Sequence, residues 1–528
     1  MQRLWLIAIF ISGCGRDTAM EPASVSDRFP RLSHAQWEAT VQDLFYLPEP
    51  SGLSSTFTPD PQLGRFDNNI ARLGMTSSLW KDYQRAAEVI AERVTVEPAL
   101  FAKLVPDVAT ADARRFVTTF GLRAFRRPLT EAEIERYVQV YAGAAAVSSG
   151  DAVHAGVRLV VQGMLQSPFF VYRSELNEAR GEGGMPLTGY EVAARLSYLL
   201  WNSMPDDALF AAAAAGELDD GEGVRTHATR LFADPRTRAQ FRRFHYQAFS
   251  IAEYADLDKS TTTFPDWRRE IGPMMQEEAL LFLDSVITND GGIAEMLTSN
   301  KAFVNADLAK IYGLAGTFGT DYREVQLDPA TRAGLLTRAG FLARNATLDE
   351  PDPIHRGVFI NLNVLCRPIS APPVIPEDLE RMGMTNRERV TSITGQGTCG
   401  ENCHHTIINP IGFAFEGYDA VGAGRTKDNN IAIDSSATYV FEDGRTISYG
   451  NAVELSRELA GAPEVHACYT SNVLEFMLGR DLLIADRVVV NTLAKQSLEE
   501  QLSVKELVLT VVASNMFRVR KFTKRSTP

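Results

Sequence analysis

Cys399-Gly400-Glu401-Asn402-Cys403-His404-His405 brings two thiols and two imidazoles into one short stretch. Two thiols about one helical turn apart, with a histidine directly after the second, form the pattern that attaches a c-type haem. Each thiol can form a thioether to a haem vinyl group, and the next residue then lies close enough to ligate the iron. The usual spacing leaves two residues between the cysteines, whereas Gly400, Glu401 and Asn402 stand between them here. Under this reading Cys399 and Cys403 hold the porphyrin and His404 is the metal ligand, proximal to the haem iron. Asn409, Pro410 and Gly412 carry the chain round the ring edge, and Phe413 and Phe415 shield it. A low-spin electron carrier needs a sixth ligand. Met477 and His466 are the candidates, together with His405 and the upstream Met382 and Met384. An open sixth position would suit peroxide or oxygen chemistry instead.

Two other readings of the same residues stay open. A Cys399–Cys403 disulfide would pin a loop and leave His404 as a surface or capping residue. Alternatively, Cys399, Cys403 and one or both histidines could hold zinc, although exported thiols tend to oxidise before they meet metal. Nearby, Glu416, Asp419 and Arg425 supply two carboxylates beside a guanidinium, suited to acid–base work or to fixing a turn around Gly417 and Gly422. Asp67, Asn68 and Asn69 offer calcium-type oxygens without EF-hand spacing, and a turn is the simpler reading. Arg126-Arg127 and His355-Arg356-Gly357 read as interdomain contacts or helix caps, and His245 as a satisfied core histidine. No nucleophile elbow, phosphate loop, dinucleotide fingerprint or zinc-protease helix is present.

The amino terminus sets the compartment. Arg3 is followed by an apolar run from Leu4 to Ile11 and then Ser12-Gly13-Cys14, which reads as a secretory signal. Ile11-Ser12-Gly13-Cys14 also resembles the bacterial lipobox, so residues 1–13 are expected to be a lipoprotein signal peptide. Cys14 is then the lipidation site, and residues 14–30 tether the body to a membrane of the cell envelope. Of the five cysteines, four remain after Cys14. A possible disulfide between Cys366 and Cys468 would leave Cys399 and Cys403 free for haem; without haem, three pairings of the four are open. The net charge of −13 and the absence of a large basic cluster argue against a nucleic-acid partner.

The elements that must position these residues are mostly helices. Ser33 with Gln36, Thr130 with Glu133 and Thr188 with Glu191 are capping boxes, each followed by apolar residues at helical spacing. Periodicity predicts further helices at 77–97, 111–124, 154–167, 222–233, 236–249 and 269–288. Prolines break residues 350–376, leaving room for a helix from His355 to Leu365. Residues 437–449 alternate around Asp443-Gly444 and read as a small hairpin, and Val504 to Phe517 as a final helix.

These motifs form an ordered series. The chain resembles secreted bacterial multidomain proteins built of domains of unknown function 1587, 1595, 1592, 1588 and 1585. The first is carried by Arg31-Leu32, Thr40 to Leu44 and Gly64 to Asn68, and the second by Phe125 to Thr130. The third is carried by Gln166 to Tyr172, Arg195 to Trp201, Phe303 to Asn305 and Tyr312-Gly313. The fourth is similar to Arg338 to Leu342, Pro353 to Gly357, Leu365-Cys366 and the cysteine–histidine segment. The fifth resembles Leu478 to Arg480 and Ala513 to Phe517. Asp352 stands where a serine is usual, and Asn515 where a proline is. The resemblance implies a mainly α, multi-domain helical protein with a small irregular, β-hairpin element in a cytochrome-c-like C-terminal part. Its domains are expected at 31–105, 106–150, 151–325, 326–430 and 431–528. It also implies an envelope location and a redox flavour, with no agreed reaction. The expected function is that of a lipid-anchored protein using haem c for electron transfer with a redox protein partner. The rival is a non-enzymatic, disulfide-stabilised scaffold or binding protein. A degradative enzyme is a third possibility that no motif supports directly.

Overall fold

The computed structural model describes residues 29–61, 64–106, 112–146, 151–178, 184–369, 383–398 and 400–520. The signal segment with Cys14, Met382 and Cys399 therefore lie outside the described residues. The protein is mainly α, with only two-stranded antiparallel sheets among those residues.

Local sequence chemistry sets the helix starts. All three expected capping boxes form, opening His34–Leu44, Glu131–Gly143 and Gly189–Leu200. In each, the hydroxyl accepts from the third backbone N–H while Glu or Gln reaches back to the cap. The periodic segments fold as Ser77–Val96, Ala113–Phe125, Ala152–Leu165, Gly221–Phe232, Pro235–Ala248 and Ile271–Thr288. All but Ile271–Thr288 start on side-chain caps that periodicity does not see: Asp112, for example, accepts from Arg114 and Arg115, and Asp151 from Val153 and His154. The last helix differs from expectation. Extended backbone at Ser514 divides it into Val504–Ala513 and Asn515–Arg518. The hairpin pairs Ala437–Val440 with Thr446–Tyr449, and Gly444 takes the left-handed conformation (φ 86°) that its turn requires.

The five expected domains share three hydrophobic cores. The first gathers Trp37, Tyr83, Phe120, Val160 and Phe170, spanning the stretches expected as 31–105 and 106–150 and the start of 151–325. The largest runs from Val192 and Phe244 to Tyr469 and Phe517, and a smaller third core holds Trp267, Met275, Leu308 and Ala339. Phe66 reaches out of the amino-terminal part into the largest core, 5.7 Å from Phe244 and 5.5 Å from Phe476 between ring centroids. Asn68 Nδ2 donates to Phe476 O, Asn69 Nδ2 donates to Asp481, and Arg243 pairs with Asp67. The Asp67 carboxylate and the amide nitrogens of Asn68 and Asn69 thus serve an inter-segment joint.

A disulfide joins Cys366, just beyond the helix Pro353–Asn363, to Cys468 in the helix Pro463–Leu478, across 102 residues of sequence. Met185–Pro186 pairs with Val519–Arg520, fastening the chain's end to its middle. Among the described residues no helix is long and apolar enough to cross a membrane.

Candidate functional site

Cys403 and His404 lie on a helix of unusual winding. Glu401–Ile408 is a π-helix, closed by i→i+5 hydrogen bonds such as that from Asn409 N–H to His404 C=O, and it continues into the α-helix Asn409–Phe413. Helices of this kind are rare and concentrate at functional sites. A helix closed by i→i+5 bonds turns through less angle per residue than one closed by i→i+4 bonds. It can therefore take in one additional residue while keeping the same side chains on one face.

Two glycines seat the π-helix and its α-helical continuation, and an arginine gathers the loop that follows. A Cβ at Gly357 would stand 2.2 Å from Ile408 O, and one at Gly412 would stand 1.9 Å from Pro353 O. The helix Pro353–Asn363 can touch the backbone of 408–412 only because both positions lack side chains. Arg356, fully buried, sends its guanidinium to four carbonyls: Phe415 at 2.8 Å, Asp419 at 3.0 Å, Leu342 at 3.1 Å and Tyr418 at 3.3 Å. Burial lowers its pKa to about 10, which leaves it charged near neutrality. Asn361 Nδ2 donates to Ile407 O at 3.2 Å and Oδ1 accepts from Tyr439 OH at 3.0 Å, tying the π-helix to the hairpin.

On this support Cys403 is a half-buried free thiol, His404 is half-buried and His405 is exposed. Burial lowers the His404 pKa, and the Asn409 side chain partly opposes that shift. His404 Nδ1 and Asn409 Oδ1 are both buried, yet neither completes a hydrogen bond. Asn409 is held in place from its other side by Nδ2 donating to Thr394 Oγ1 at 2.9 Å. An imidazole whose Nδ1 proton faces this amide oxygen leaves the Nε2 lone pair for a metal, the outer-shell arrangement usual for a ligating histidine.

The sixth-ligand candidates are dispersed. His405 rides on the π-helix, and Met384 lies just before Asn386–Thr394, a helix that packs on it. His466 is buried with both ring nitrogens engaged, Nδ1 with Ser497 Oγ at 2.9 Å and Nε2 with Ala460 O at 3.0 Å. Met477 packs among Leu199, Phe241, Phe244 and Val473 in the largest core. Phe415 is a core residue edge-on to Phe341, and Phe413 lies under the Arg387 guanidinium, 4.8 Å from its ring centre.

Glu416, Asp419 and Arg425 form a structural knot rather than an open acid–base pair. Arg425 bridges Glu416 at 3.0 Å and Asp428 at 3.3 Å, while Asp419 Oδ1 accepts from the N–H groups of Val421 and Ala423. Burial raises the pKa of both Glu416 and Asp419. Asn386 joins them, donating from Nδ2 to Glu416 and from its backbone to Asp428. This residue was missed, although Thr385 with Glu388 is a capping box that announces its helix. Arg126 donates to the carbonyls of Phe169, Phe170 and Tyr172, and Arg127 pairs with Glu133. His245 Nε2 meets Tyr469 OH at 3.0 Å in the core. Among the described residues no group of three or more His, Cys, Asp or Glu side chains is placed to hold a metal ion.

Comparison with known families finds five models, each described as a protein of unknown function. They match in the order DUF1587 over residues 30–96, DUF1595 over 112–175, DUF1592 over 187–314, DUF1588 over 332–428 and DUF1585 over 444–517. The fourth, named PSCyt3, covers the cysteine–histidine segment. No curated protein and no solved structure matches the chain.

Proposed function

From the premise that the chain belongs to the proteins built of these five families, we propose that it is a lipid-anchored envelope protein carrying haem c at residues 399–404 and working in electron transfer with a redox protein partner. The observation that carries this reading is the half-buried His404 ring beside the unsatisfied Asn409 oxygen, one residue after a free thiol. The residues fit the group. Cys399 and Cys403 would supply the thioethers, His404 Nε2 the proximal ligand, and Asn409 the orienting acceptor for the His404 Nδ1 proton. When bound, haem c supplies reversible one-electron exchange at iron.

The protein's own contribution is to hold His404 in one orientation and one protonation state. Burial keeps the ring neutral near pH 7, because its pKa lies below the ordinary imidazole value of 6.5. Thr394 holds Asn409, the two glycine contacts hold the π-helix, and Arg356 holds the carbonyls of the loop that follows. Cys14 would anchor the mature chain, and residues 15–30 would let the body stand away from the lipid surface.

Peptide mapping of exported protein, made in a host that matures c-type cytochromes, tests the assignment. The peptide spanning Cys399 to His404 should carry one haem, and Cys403→Ser should abolish stable double attachment. A peptide bearing only a Cys399–Cys403 disulfide would favour the scaffold reading. Membrane fractionation of Cys14→Ser separately tests the anchor: the variant should leave the membrane fraction.

A further inference from the structure

Far along the chain from the cysteine–histidine segment, a cavity of about 230 Å³ lies where four of the five family segments meet. Asn68, Arg173, Tyr198 and Phe517 contribute to its wall, one from each segment. Arg173 also lines a second pocket, of about 380 Å³, so its half-buried side chain stands between two open cavities.

The other arginines around these spaces are occupied. Arg195 grips Glu175 through two bonds, of 2.6 and 2.9 Å, and donates to Phe517 O at 2.6 Å. Arg480 pairs with Asp486, Arg127 pairs with Glu133, and Arg126 is spent on three carbonyls. Arg520 donates from a terminal nitrogen to Asn177 O, although its Nε is also buried without a partner. Arg173 differs. Its backbone N–H is fixed on Pro30 O at 2.8 Å, but its Nε is buried without a partner. Among the described residues its guanidinium makes no hydrogen bond or ion pair and lies over the face of Tyr198, 5.2 Å from the ring centre. Burial lowers its pKa to about 10, so it stays positively charged near neutrality. Glu175, the carboxylate whose charge opposes that shift, is already paired with Arg195.

A guanidinium presents a planar fork of donors matched to an oxyanion. Its stack on Tyr198 satisfies none of the N–H groups of the fork, which stay open to an oxyanion. Beside the charge the wall is mixed: Phe476, Met477 and Phe517 supply its apolar part, and Gln36, Asn68 and Gln240 its polar part. We propose that this cavity binds a small organic anion, its oxyanion on the Arg173 fork and its apolar body along Tyr198, Phe476 and Phe517.

Calorimetric titration of the full chain with hexanoate, inorganic sulfate and 1-hexanol tests the site. Hexanoate should bind more tightly than either of the other two, since only hexanoate offers both the charge and the apolar body. Arg173→Gln should weaken hexanoate binding at least tenfold, and Arg173→Lys by less. Because Arg173 has no ion pair to break, Arg173→Gln without ligand should keep or raise the thermal midpoint. The proposal is overturned by any of four results: no hexanoate binding, hexanol binding as well as hexanoate, undiminished binding by Arg173→Gln, or a lowered midpoint for the unliganded variant. The last would show that Arg173 supports the fold through Tyr198. None of these results depends on whether haem is attached.

Discussion

Gly357→Ala separates helix propensity from tertiary contact at the heart of the site. Gly357 lies inside the helix Pro353–Asn363 without a positive φ, so alanine should by itself stabilise that helix by about 1 kcal/mol. Against this gain, the new Cβ would stand 2.2 Å from Ile408 O, 2.9 Å from Ile408 Cγ2 and 3.0 Å from Ile408 C. Overpacking of a core costs about 1–3 kcal/mol. The upper end applies here, because the obstacle is backbone and cannot rotate aside. The net expectation is a loss of about 2 kcal/mol, roughly a 30-fold change in the local opening equilibrium. Amide hydrogen exchange resolved by peptide is the suitable assay, since a chain with three cores need not unfold in one step. Protection should fall about 30-fold across residues 401–413, with a much smaller change in the first core. Protection that rises instead, as propensity alone would give, would refute the close seating of the π-helix on Pro353–Asn363.

Three further outcomes follow from the same contacts. Arg356→Met should lower stability by at least about 3 kcal/mol in denaturant titrations, because four carbonyls lose their donor in the interior. Cys366→Ser should lower stability by about 4–5 kcal/mol on the chain-entropy model, since the disulfide closes a loop of 102 residues. His245, whose pKa is pushed down by burial from 6.5 to about 3, gives a pH effect of defined sign. Its stabilising contribution is complete above pH 6.5, where the unfolded chain also holds a neutral ring, and falls as pH drops towards 3. The slope is about 1.4 kcal/mol per pH unit between those limits. Denaturant titrations of His245→Gln from pH 7 to pH 4.5 should therefore show a shallower loss than the wild type.

The parts of this molecule that could be read from its sequence are those decided within a few residues. The capping boxes at Ser33, Thr130 and Thr188 and the turn at Gly444 depend on neighbours in the chain, and each formed where expected. The box at Thr385 carries the same signal but opens a nine-residue helix, Asn386–Thr394, in which polar Asn386 and Thr394 share the buried face with Val390. Apolar periodicity is silent there. Arg356 reads from the sequence only as an interdomain contact or helix cap, because its four carbonyls come from residues 342 to 419 and converge only in the fold. Phe415 was expected to shield a haem edge, and its place in the largest core follows from contacts with Phe341 that spacing does not reveal. The π winding was also beyond local reasoning. It depends on packing against Gly357, which contacts Ile408 at the helix's end and is distant in sequence.

A reduced-minus-oxidised absorption spectrum of the purified, haem-matured protein bears most directly on the assignment of residues 399–404. Sharp α and β bands that vanish in His404→Ala, with colour retained, are the predicted result for His404 as proximal ligand. A colourless, correctly exported protein would contradict it and leave the three-core helical body without its electron carrier.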